Sequence, residues 1–65
     1  MVVYNLYLVL NDDEPIEIYD KHKRMVRFKG SSYEIPYALM DRVVQHVEVV
    51  QDKEKRYKRL VIVID

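Results

Sequence analysis

The stretch Leu60-Val61-Ile62-Val63-Ile64 decides the fold of this 65-residue chain. It is apolar on both faces of an extended strand, which is typical of a strand that is buried from both sides. One short helix cannot cover both faces of a sheet that contains such strands. Either the sheet curls into a small barrel, or a second copy of the chain covers the open face. We therefore expect a homodimer whose candidate face consists of Val61, Ile62, Val63 and Ile64.

The composition agrees with a small β-rich domain. Eleven valines, five isoleucines and six tyrosines favour strands, and 65 residues correspond to a single small domain, residues 1–65. The chain has no cysteine, which excludes a disulfide framework and thiolate metal sites. Charged residues reach 34%, while threonine and tryptophan are missing and asparagine and glutamine are scarce. This composition resembles that of hyperthermophile proteins.

The second half of the chain predicts a hairpin. Its last strand covers Arg56–Ile64 and pairs, through a turn at 52–55, with a strand at Val44–Gln51. Residues 43–50 contain five valines, and valine is a poor helix former and a good strand former. The alternative is a helix with a stripe made of Leu39, Val43, Val47 and Val50. The expected hairpin register sets Gln51 opposite Arg56.

The first half predicts three more strands and a helix. Residues 2–10 are apolar on both faces of a strand. Ile16–Tyr19 and Arg24–Phe28 form a second hairpin, and pairing Ile18 with Val26 gathers its apolar residues on one face. A short helix follows at Pro36–Arg42, since proline fits the first turn of a helix.

These elements define the expected fold class. It is α+β and mostly β, with a small curled antiparallel sheet of about five strands and one short helix in the order β-β-β-α-β-β.

The charges are sorted along the sequence although the formal net charge is zero. Ten of the eleven lysines and arginines lie in two basic segments, 21–29 and 53–59, and Arg42 is the exception. Five acidic residues and no basic ones lie in residues 1–20. Such sorting predicts surfaces that pair with each other or meet a partner.

Nucleic acid is one candidate partner, because lysine and arginine neutralise phosphates and interleaved aromatic residues can stack on bases. The pI of about 6.7 argues against it, as do the internal ion pairs that we expect for Glu17 with Arg27, Asp20 with Arg24 and Glu48 with Arg59. The candidate nucleic-acid contacts are Lys21, Lys23, Arg24, Lys29, Lys53, Lys55, Arg56, Tyr57 and Lys58.

Catalytic, cofactor and metal sites are not expected. His22 lies in a charged turn, and His46 shares a strand face with Glu48 but lacks a third residue to complete a catalytic set. The acidic turn at 12–14 lacks the glycine and the distal glutamate of a calcium loop. Gly30 is the only glycine, so no glycine-rich phosphate loop exists.

The remaining hypothesis is a non-enzymatic binding or regulatory protein that acts through protein–protein contacts and associates with itself. Many short chains of this kind are regulators or assembly factors, and mobile elements encode many of them. The N-terminal segment lacks the features of a signal peptide and is too short to span a bilayer. The expected location is therefore cytoplasmic, with no membrane contact.

Overall fold

A computed structural model describes residues 1–54 and 57–65 of the chain. Its elements are the helix α1 (Val3–Tyr7), strands β1 (Pro15–Asp20) and β2 (Met25–Ser31), two 3-10 turns (Ser32–Glu34 and Tyr37–Leu39), and strands β3 (Val44–Asp52) and β4 (Tyr57–Ile64). The mostly β character is confirmed. The described residues form four strands instead of about five, and a helix precedes them all.

The four strands form one mixed sheet in the order β2-β1-β4-β3. Two antiparallel hairpins, β1–β2 and β3–β4, are joined at the centre by the parallel pair β1–β4. The expectation of a purely antiparallel sheet was therefore wrong. The two central strands carry the most buried residues, as expected for strands that have neighbours on both sides.

The packed face of the sheet forms the core. Ile16 and Ile18 of β1 lie beside the alternate residues of β4, Ile62 and Ile64, and all four are essentially inaccessible to solvent. Val3 of α1, Ile35 and Leu39 cover them from outside the sheet. The helix and both 3-10 turns thus lie on one side of the sheet.

The strand predicted at residues 2–10 is instead α1 and the turns that follow it. The residues that pack on the core are Val3, Leu6, Tyr7 and Leu10, which have the spacing of one helical face. Leu8, which a strand would have placed in the core, is exposed. A run of residues that is apolar on every side fits both the helical repeat of 3.6 residues and the strand repeat of two. The contact of this segment with the sheet therefore decides which structure it forms.

The registers of both hairpins differ from the prediction, by two residues at Ile18 and at Gln51 and by one residue beyond a bulge in the first hairpin. Ile18 pairs with Phe28 instead of Val26, and a bulge separates this pair from the pair of Tyr19 with Val26. In the second hairpin Gln51 pairs with Lys58, while its predicted partner Arg56 lies outside the described residues. In the second hairpin the shift of two residues keeps the paired side chains on their own faces, so the alternation pattern could not reveal it. In the first hairpin the bulge places Val26 on the face opposite Ile18, so the prediction that these two residues share a face was wrong.

The helix predicted at Pro36–Arg42 is a 3-10 turn. Leu39 N–H donates to the Pro36 carbonyl at 3.0 Å and Met40 N–H to the Tyr37 carbonyl at 3.1 Å, which are both three-residue spacings. Pro36 itself has extended backbone dihedrals. The segment is held short because β3 begins five residues after Leu39.

The strand predicted at Val44–Gln51 is confirmed as β3, one residue longer. The chain's own N-terminus pairs with the beginning of its outer edge. Val2 forms an antiparallel bridge with Val43, Val3 N–H donates to the Arg42 carbonyl at 3.0 Å, and Val44 N–H donates to the Met1 carbonyl at 2.9 Å.

Candidate interaction surfaces

The face of the sheet opposite the core, which we call the open face, bears an apolar row. Tyr19 of β1 lies between Val26 of β2 and Val63 of β4, and His46 of β3 ends the row. Val26 is 47% exposed, and Tyr19 and Val63 are half-buried. The described helix and 3-10 turns all pack on the other face.

Two pairs of polar side chains lie next to this row. Arg59 Nε lies 3.2 Å from Glu17 Oε1, and both side chains are largely buried. His46 Nε2 lies 3.8 Å from Glu48 Oε2, which confirms that these two residues share a face. The open face therefore presents an apolar centre beside the Glu17–Arg59 ion pair, with Glu48 and Lys29 exposed at its margins.

The predicted dimer face is divided between the two sides of the sheet. Val61 and Val63 lie on the open face. Val61 is only 7% exposed there, between its cross-strand neighbours Glu17 and Glu48. Ile62 and Ile64 lie in the core with no exposed area. A single surface made by all four residues therefore does not form on the folded chain.

The two edges of the sheet differ in character. Edge strand β2 carries Arg27 and Lys29 and the bulge near Val26. Edge strand β3 spans nine residues, Val44–Asp52, and contains no lysine, arginine or proline. Its residue Val49 is 62% exposed. Cations and bulges hinder strand addition at an edge, so β3 is the more receptive of the two.

A buried carboxylate, Asp20, ties three parts of the chain together at one end of the sheet. Its Oδ1 accepts a hydrogen bond from the Lys23 N–H at 3.0 Å, and its Oδ2 lies 3.1 Å from Arg27 and 3.3 Å from Arg42. Arg42 also donates to the Asp65 carbonyl oxygen at 2.6 Å. The Lys23 N–H, followed by Arg42 and Arg27, holds the pKa of Asp20 below its usual value, although burial acts in the opposite direction.

The acidic residues Asp20 and Glu17 form ion pairs, but their partners differ from those predicted from the hairpin registers. Asp20 contacts Arg27 and Arg42 instead of Arg24, and Glu17 contacts Arg59 instead of Arg27. Arg42 was the one cation outside both basic segments, and its role depends on a contact 22 residues away in sequence. No local pattern could have indicated that contact.

The two basic segments have their turns at opposite ends of the sheet. Lys21, Lys23 and Arg24 are exposed beyond the end of β1, where Lys21 N–H donates to the Ile64 carbonyl. Lys53, Tyr57 and Lys58 are exposed at the beginning of β4. With about 3.3 Å per residue along β4, the two groups are separated by roughly 25 Å. Lys29 is exposed on β2 opposite Glu17, while Lys55 and Arg56 lie outside the described residues.

Two open clefts also lie on the surface of the described residues. A cleft of about 450 Å³ is lined by charges of both signs, including Asp13, Lys29 and Glu34. A second cleft of about 560 Å³ is lined by Tyr4, Tyr37, Met40 and neighbouring residues. Tyr37 is 92% exposed at its rim.

Metal-ligating side chains do not gather in groups of three or more anywhere in residues 1–54 and 57–65. None of the helices in this part of the chain is long and apolar enough to cross a membrane. Comparisons of the chain with models of known protein families, with curated proteins and with solved structures gave no match.

Proposed function

We propose that this protein is a non-enzymatic binding protein that acts through protein–protein contacts, and that its first partner is a second copy of itself. The observation that supports this proposal is the apolar row of Tyr19, Val26 and Val63 on the open face. The described segments of the chain that could cover a sheet all lie on the other side.

Two open faces can stack as two sheets do in a β-sandwich, about 10 Å apart and rotated by roughly 30°. Each apolar row then buries the other, which supplies the hydrophobic gain. Because Glu17 already pairs with Arg59, these two residues can be enclosed between the stacked faces without leaving either charge unpaired. An interface of this kind needs about 800 Å² per partner to be stable.

The substitution Val63→Lys tests the contact. Val63 is half-buried at the centre of the row, so lysine can extend into solvent in the single chain but opposes a stacked partner. Ile62 is unsuitable, because lysine at a position with no exposed area would unfold the chain. We expect Val63→Lys to halve the molar mass measured by light scattering at micromolar concentration.

The matched control is Tyr37→Lys, which adds the same charge at an exposed apolar residue on the helical side. It should leave the mass unchanged. A Val63→Lys variant that stays folded by circular dichroism and keeps the mass of the original protein would contradict the open-face contact.

Nucleic acid is a second candidate partner. It is favoured by one observation: the described candidate contacts Lys21, Lys23, Arg24, Lys29, Lys53, Tyr57 and Lys58 are all exposed. Because the two basic turns are far apart, a short oligonucleotide should use one of them at a time.

Fluorescence anisotropy of labelled single-stranded and duplex DNA tests this alternative at about 50 mM and about 200 mM salt. Nucleic-acid binding predicts micromolar affinity that falls steeply with salt. It also predicts that either Lys21→Glu/Lys23→Glu or Lys53→Glu/Lys58→Glu removes most of the binding, whereas the other pair has little effect. The absence of binding at the lower salt concentration would exclude a phosphate-binding role.

A further inference from the structure

The outer edge of β3 is a place where this chain already accepts strand pairing. Met1–Val3 run antiparallel to residues 42–44 there, with two backbone hydrogen bonds of 2.9 and 3.0 Å. Beyond Val44, none of the described residues pairs with that edge. The backbone groups that point outward from Gln45 to Asp52 thus form a template for another strand.

The side chains of β3 do not oppose such an addition. The stretch from Val44 to Asp52 contains four valines and no lysine, arginine or proline, in contrast to Arg27 and Lys29 on the opposite edge. The exposed Val49 lies near the middle of the free part of β3.

We propose that a second copy of the chain pairs its β3 with this edge in antiparallel orientation, so that two four-stranded sheets become one sheet of eight strands. An antiparallel pair of identical strands is related by a twofold axis, which closes the contact at two chains. This contact is separate from the open-face contact and does not depend on it.

The N-terminus limits the register of the new pair. When the axis passes through Val47, the partner's β3 extends past Val44, and when it passes through Glu48, the partner's β3 ends opposite Val44. In both registers it meets Met1, which already occupies the position beside Val44. An axis at Glu48 also sets two glutamates directly opposite each other, which is unfavourable. An axis at Val49 pairs residues 46–52 of both chains and ends the partner's strand before Met1. The structure therefore favours a register that places Val49 opposite the partner's Val49.

An axis perpendicular to the sheet keeps both open faces on the same side. Edge pairing therefore leaves the rows of Tyr19, Val26 and Val63 free to stack on a second pair. With both contacts formed, four chains assemble as two stacked sheets of eight strands each.

Charge complementation at Val49 tests the proposal. Val49→Lys places two lysines opposite each other across the axis, and Val49→Glu does the same with two glutamates. Each variant alone should have half the molar mass of the original protein by light scattering. Mixing the two variants should restore the original mass, because lysine then faces glutamate. Since Val49 is 62% exposed, both variants should fold, and circular dichroism checks this.

The variants also separate this contact from the open-face contact. Val49→Lys together with Val63→Lys should give single chains, whereas Tyr37→Lys should retain the full mass. A folded Val49→Lys variant with the original mass would overturn the edge contact, as would a mixture of the two Val49 variants that stays at half the mass. If Val63→Lys alone leaves the mass unchanged while the Val49 variants behave as described, the edge contact stands and the open-face contact fails.

Discussion

At the scale of single residues, Arg24 has an unusual backbone conformation. Its φ of 54° lies in the left-handed region, which costs an ordinary side chain about 1–2 kcal/mol because its Cβ approaches the backbone. Arg24 ends the turn that leads into β2, and its side chain is exposed. The conformation is therefore imposed by the turn.

Arg24→Gly should stabilise the protein. Glycine removes the steric cost but adds entropy to the unfolded chain, so we expect a net gain of about 0.5–1 kcal/mol in the free energy of unfolding. Urea unfolding measures it. Lys23→Gly is the control in the same turn, where φ is not positive, and it should reduce stability. Equal losses in both variants would show that the left-handed conformation carries no cost.

Asp20 makes the free energy of unfolding depend on pH in the acidic range. Its pKa in the folded protein lies below the usual 3.8, so between the two pKa values the unfolded chain binds more protons than the folded one. The contribution of Asp20 is therefore complete above about pH 4 and is lost as the pH falls through the lowered folded pKa.

Asp20→Asn should reduce the urea midpoint at neutral pH, since it leaves Arg27 and Arg42 without their anionic partner. Its deficit relative to the original protein should shrink as the pH falls below about 4. Asp13→Asn, at an exposed turn position, should change the midpoint little at any pH. A deficit for Asp20→Asn that stays constant down to pH 2 would contradict this role.

At the scale of elements, the strands of the second half could be predicted and the helix of the first half could not. Both β3 and the N-terminal segment are rich in valine or leucine. In residues 43–50, which include most of β3, five valines opposed a helix through their stiff side chains. In the N-terminal segment, leucine and tyrosine tolerate either state, and a five-residue helix is not stable alone in water. It exists because Val3 and Leu6 pack on the sheet, which is information that local sequence does not contain.

In the candidate sites, too, contacts within one strand could be predicted from the sequence and contacts between distant segments could not. The common face of His46 and Glu48 follows from strand alternation and could be predicted. The contacts of Arg42 with Asp20 and of Arg59 with Glu17 join residues 22 and 42 positions apart. They depend on which strands become neighbours, and the parallel pairing of β1 with β4 was not part of the prediction.

At the scale of the whole molecule, the folded chain mixes charges that are sorted along the sequence. Glu17 and Asp20 come from the acidic first third, and their partners Arg27, Arg42 and Arg59 come from both basic segments and from between them. The parallel centre of the sheet brings these distant residues together. The exposed cations that remain are mainly those of the two turns at opposite ends.

The parallel centre also governs how the chain reaches its folded state. The hairpins β1–β2 and β3–β4 involve neighbours in sequence, and such units form in about 1–10 μs. The pair of Ile16 with Leu60 instead requires the chain to close a loop across most of its length, at an entropic cost that grows with the logarithm of the loop length. Neither hairpin buries enough surface to persist alone. We therefore expect the encounter of the two short-lived hairpins to limit the rate of folding, with the core isoleucines making the contacts that hold them together.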